Sequence, residues 1–135
     1  MSKQGNAPSD LFAGQQGILN LCEEIIATIR SYTQVRGRLI ILYDLSTNYF
    51  GRQDQCLLTD LRLRHQNDSR ALKMLEFWEI DLKDIKIKVV TFFEKYTGDF
   101  VIKPRGSFGK EFLELHKALK ARFEIENNYL FALMR

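Results

Sequence analysis

The chain of 135 residues has only two prolines, two cysteines, two histidines and one tryptophan. Each scarcity excludes something. Between Pro8 and Pro104 no residue lacks the amide N–H that a helix needs, so long helices are permitted throughout that stretch. Cys22 and Cys56 are far apart and lack Cys-x-x-Cys spacing, which removes zinc ribbons and dithiol redox motifs. Each is expected to pack as a small apolar residue in a reducing compartment rather than to form a disulfide. The longest apolar run, Leu39 to Tyr43, falls far short of the roughly 18 residues that span a bilayer. Met1 to Asp10 carries no basic region followed by an apolar one, so no secretory signal is expected and the expected address is the cytoplasm. A net charge of +3, without a strong clustered basic excess, weighs against direct nucleic-acid binding. The group Lys83, Lys86 and Lys88 reads as a solvated face.

The shortage of histidine bears on chemistry. Di-iron bundles recruit Glu-x-x-His steps from two helices, but Leu113 stands three before His116 and Arg62 three before His65. The step from Arg122 to Glu126 has the spacing of a hemerythrin-like His-x-x-x-Glu pair, with a guanidinium where the metal would sit. Gly14 and Gly17 lack the flanking signals of a phosphate loop, and neither cysteine has a histidine nearby. His116 is a poor candidate for phosphotransfer, set between Leu115 and Lys117 at the edge of an apolar arc. No catalytic residue, metal or cofactor is therefore expected.

What the chain has in plenty is apolar side chains at helical spacing: 45% hydrophobic residues, with ten Phe and five Tyr. Residues 1–10 read as a disordered tail and 11–135 as one helical domain. Ile18, Leu21, Cys22, Ile25 and Ile29 step by threes and fours, as on the apolar face of a helix. A second helix is expected from about Gly37 or Arg38 to Phe50, stopped by Gly51, with Asp54 capping a short continuation to about Arg64. Asp68 or Ser69 caps a third from Ser69 to Tyr96, inside which the strand-like alternation Asp84 to Val89 is overruled by the surrounding period. Residues 97–106 read as a loop with a basic tip at Lys103 and Arg105, and Ser107 is expected to cap a last helix running unbroken to the end. Such helices bury their stripes most simply as an all-α, antiparallel four-helix bundle with one helix broken near Gly51.

The last helix holds the least expected residues. Phe108, Phe112, Leu115, Leu119, Phe123, Leu130 and Leu133 share a face, with Glu126 in the middle of the arc and Arg122 on its flank. An unpaired charge there would cost several kcal/mol, so the two are expected to form a structural polar core, with Trp78 and Phe123 packed beside them.

The stretch Ala118-Leu119-Lys120-Ala121-Arg122-Phe123-Glu124-Ile125-Glu126 resembles the Ala-Leu-x-Ala-Arg-Phe-x-x-Glu core of the regulator-of-sigma-D/AlgQ family of anti-sigma proteins. The interval from Trp78 to Phe123, the position of Phe108, and the stretch Tyr49-Phe50-Gly51-Arg52-Gln53-Asp54 at a helix junction extend the likeness over about residues 38–135. The resemblance implies a non-enzymatic, cytoplasmic transcription regulator that sequesters the primary sigma factor of RNA polymerase, with contacts at Asn48, Tyr49, Arg52 and Asp54. The chain departs from the pattern where Asp54 replaces the family's His and Asn48 an acidic residue. The alternative partner is another transcription regulator on the same scaffold, with the chain acting as a monomer or homodimer.

Overall fold

A computed structural model describes residues 8–30, 32–96 and 107–134, and every element in them is helical. Helix α1 spans Pro8–Ala27 and α2 Tyr32–Arg52; a π-helical turn, Gln53–Leu57, then leads into α3, Leu58–Arg64. Helix α4 spans Ser69–Tyr96 and α5 Phe108–Ile125, followed by a second π-helical turn, Glu126–Leu130, and a last turn α6, Phe131–Leu133. The tail expected over residues 1–10 is shorter at its inner end. Proline is favoured at the first helical position because its missing N–H would be unsatisfied there anyway, and α1 begins at Pro8. Residues 1–7 and the expected loop 97–106 lie outside the described residues.

The long helices pack α1 on α2, α2 on α4, α4 on α5 and α5 on α1. Side-chain contacts give their directions. Glu24 near the end of α1 meets Arg38 near the start of α2, and Gln15 meets Tyr49, so this pair is antiparallel. Tyr43 of α2 lies edge-on to Phe93 of α4, while Arg62 of α3 pairs with Glu79 further back along α4. Lys95 reaches Glu111 across the α4–α5 turn, and Arg122 reaches back to Asp81. Each neighbour therefore runs against the next.

Helix starts follow local chemistry in one case and not in another. Asp68 Oδ1 accepts the backbone N–H groups of Arg70 and Ala71, both at 3.1 Å, satisfying two donors that the first turn of α4 leaves free. Ser107 stands at the N-cap of α5 but its hydroxyl makes no capping bond; its Oγ lies 3.4 Å from the Tyr96 hydroxyl. The expected serine cap is thus replaced by side-chain contacts, with Tyr96 across the turn and with Glu111 on α5 itself.

The expected break at Gly51 is also corrected. Gly51 sits inside α2 and the chain stays helical through the π turn, with Arg52 at ordinary helical angles. Leu42, Phe50, Leu57 and Leu61 are all buried, although a uniform helix would carry Leu61 about 100° round from Leu42. The extra residue of the π turn absorbs that drift, so the helix keeps one side on the core without breaking. The last helix likewise contains a π turn where an unbroken α-helix was expected.

One continuous core links these helices, and its two ends differ in kind. At one end Phe92, Tyr96, Phe108 and Phe112 form an aromatic cluster, with Tyr96 and Phe108 edge-on at 4.9 Å between centroids. Full burial of each such ring contributes about 1.5–3 kcal/mol. The other end is polar.

Candidate functional site

At the polar end, Gln15, Tyr49, Gln53, Arg122 and Glu126 are all buried, coming from α1, α2, the first π turn, α5 and the second π turn. Glu126 is the hub, with none of its surface exposed. Its Oε1 accepts Gln15 Nε2 at 3.0 Å and the Tyr49 hydroxyl in a short bond. Its Oε2 accepts Gln53 Nε2 at 2.9 Å and Arg122 Nε at 2.7 Å. Four donors, two on each oxygen, compensate a carboxylate that would otherwise cost several kcal/mol to bury.

Arg122 spends the rest of its planar fork outward from Glu126. Its remaining nitrogens donate to Asp81 Oδ2 at 2.7 Å and to Gln53 Oε1 at 2.8 Å, and its guanidinium carbon lies 5.2 Å from the centre of the Trp78 ring. A guanidinium suits this place because it satisfies three acceptors in one plane and stacks on an aromatic face. Gln53 uses both ends of its amide, donating to Glu126 and accepting from Arg122. Asp81 is the member that touches water, its side chain 30% exposed.

The expected pairing of Arg122 with Glu126 among the phenylalanines is present, with Phe123 buried beside it and ring contacts from Phe123 to Tyr49 and Phe50. Trp78 is buried as expected; its indole N–H finds no acceptor among the described residues. Of the four expected contact residues, Asn48 and Arg52 are exposed, while the Asp54 side chain lies outside the described residues. Tyr49 must be moved: its hydroxyl bonds Glu126 and its ring is buried, so it belongs to the polar core and not to the surface. Burial, then the neighbouring Glu126 carboxylate, push its phenol well above the ordinary range.

Sequence reading missed Gln15, Gln53 and Asp81. Glutamine on a helix is solvent-facing by default, so only a partner-starved carboxylate elsewhere in the chain could have hinted at them. Cys22 packs in the core as expected, but Cys56 is exposed; neither is bonded. His116 is half-buried, its Nε2 without a partner among the described residues, and burial followed by the Lys120 charge lowers its pKa.

Among the described residues no three His, Cys, Asp or Glu side chains come together as a metal-ligand set. No described helix is long and apolar enough to cross a membrane. A cleft of about 650 Å³ lies elsewhere, between α4 and α5 beside the aromatic end, crossed by the Lys95–Glu111 pair. Compared with protein-family profiles, with curated proteins and with solved structures, the chain matches none. What fold and site define, among the described residues, is an all-helical protein whose polar end is a buried hydrogen-bonded cluster that meets water at Asp81.

Proposed function

We propose that the chain is a non-enzymatic transcription regulator, an antiparallel four-helix bundle that binds and sequesters the primary sigma factor of RNA polymerase. One observation carries the reading. Trp78, Arg122, Phe123 and Glu126, the residues behind the likeness to anti-sigma proteins, gather in one cluster that the Tyr49–Gln53 junction closes. Arg122, Phe123 and Glu126 share one helical turn, and what supports the reading is that Trp78 and the Tyr49–Gln53 junction pack against that turn.

The contact surface is the outer side of α2 over this cluster. Ile41, Leu45, Asn48 and Arg52 are spaced by four, three and four, share one face and are all exposed. Ile41 and Leu45 would supply apolar anchors, and exposed Asp44 beside them would meet the basic side chains that sigma turns toward DNA phosphates. Occlusion of those groups is the mechanism. The departures at Asn48 and Asp54 favour, as the second reading, another DNA-binding regulator as the partner.

Size-exclusion chromatography of the purified chain with the primary sigma factor, whole and as its separate C-terminal domain, tests the proposal. A complex with both is expected. Separate elution of the proteins at micromolar concentration and moderate salt would discard sigma as the partner.

A further inference from the structure

The side of α4 that looks away from the core carries an ordered line of residues. Lys73, Ile80, Ile87 and Glu94 are spaced by seven, which keeps them on one face, opposite the buried Leu82 and Val89. Ile80 and Ile87 are 65% and 64% exposed, and Phe77 beside them 56%. Single exposed apolar side chains are ordinary, but several along one helix face form a patch of the kind that binding covers.

The order of charges indicates what covers it. About the midpoint between Lys83 and Asp84, position 73 maps onto 94 and position 80 onto 87. Laid antiparallel on a second copy of itself, α4 sets Ile80 against Ile87 and Lys73 against Glu94, and the two-fold axis makes each contact twice. At the axis Lys83 and Asp84 also alternate in sign, with Asp84 held by Lys88 of its own helix at 3.2 Å. A parallel arrangement would set Lys73 on Lys73 and Glu94 on Glu94, and repel. The line is therefore complementary to itself in one direction only.

We infer that the chain self-associates through this face of α4, pairing antiparallel with α4 of a second copy. The inference does not rest on the sigma reading, whose surface is on α2. One helix face per copy buries less than the roughly 1,600 Å² of a standard interface, so the dimer belongs to the weak, exchanging class.

Sedimentation equilibrium of the full chain from about 1 µM to about 500 µM, the span suited to so small an interface, tests it. The average mass should climb from one copy toward two. K73E alone and E94K alone each bring like charges together twice and should weaken association about tenfold or more. Mixed one to one, the two variants should pair again, because every charge then meets its opposite; this recovery separates lost pairing from lost folding. Wild-type chain that stays at one copy throughout would overturn the inference. So would a dimer indifferent to both reversals, or a mixture no tighter than either variant alone.

Discussion

Gln53 and Glu126 are joined by a hydrogen bond of 2.9 Å, and each is the first residue of a π-helical turn. In both turns the backbone carbonyl of that first residue accepts from the amide five residues on, Leu58 and Phe131 respectively. A π turn is less stable than an α turn and persists where it sets a side chain that regular geometry would misplace. Here the two turns meet at the one point where, among the described residues, the core holds a carboxylate, and their side chains are part of how that carboxylate is satisfied.

Removing the hub should therefore be expensive. Glu126→Leu leaves Arg122 with only Asp81 and Gln53 and takes their shared acceptor from Gln15, Tyr49 and Gln53, for an expected loss of about 3–5 kcal/mol in urea unfolding. Arg122→Leu should cost about as much. The double variant is expected to fall about 1–3 kcal/mol short of the sum, because neither side chain is then left without its fully buried partner. Strict additivity would show that the two side chains do not act as a unit.

Two glycines in α1 should respond in opposite directions to alanine. A Cβ at Gly14 would stand 2.9 Å from Tyr49 Cδ1 and 3.2 Å from Cε1, against a ring locked in the core. Gly14→Ala is expected to lose about 1–3 kcal/mol despite its better helix propensity. Gly17 has open space around it, and Gly17→Ala should gain up to about 1 kcal/mol. Thermal melts that move together would contradict this packing.

Alkaline stability follows from two buried acids. Burial, then the Glu23 charge, push the Cys22 thiol from its ordinary 9.0 to about 12, and Tyr49 is raised above its ordinary 10.0. The fold prefers both protonated. Their contribution is intact below the unfolded values and is lost as pH climbs from about 9 toward the folded ones. Unfolding free energy should fall between about pH 9 and about pH 12, and Tyr49→Phe should lessen the fall above about pH 10. A thiol reagent should modify exposed Cys56 at once and Cys22 only as the chain unfolds; two equally fast thiols would be the contrary result.

The sigma reading separates surface from core. Leu45→Asp should weaken a sigma complex about tenfold or more while leaving the melting temperature unchanged, since Leu45 is 40% exposed. Tyr49→Phe should do the reverse, costing about 1 kcal/mol of stability with affinity kept. If the tyrosine variant instead abolished binding in a stable protein, the assignment of Tyr49 to the core network would have to be given up.

The residues differ in how openly they announced their places. The bounds of α4 follow from an acidic cap at Asp68 and an apolar period that runs unbroken to Tyr96, both local signals. The inward pair Arg122–Glu126 was legible because charges in the middle of an apolar arc have nowhere else to go. Gly51 misled for the same local reason: glycine is a common helix stop, but Gln53, Leu57 and Leu61 beyond it have core partners, and their burial outweighs the glycine's weak preference. Ser107 looked like a cap and has no capping bond, because its hydroxyl meets the side chains of Glu111 and Tyr96 instead of the backbone.

Periodicity and composition alone determined that this chain is helical, where its long stripes lie and that an acid and a base face inward near its end, since each depends on residues within a turn or two of one another. Only the tertiary structure decided that two glutamines and a tyrosine from distant segments complete the hydrogen bonding of Glu126, and that the helix after Gly51 widens rather than stops. A buried carboxylate requires donors, and which donors it receives depends on how the helices are set against each other, which is a property of their packing and not of any single stretch.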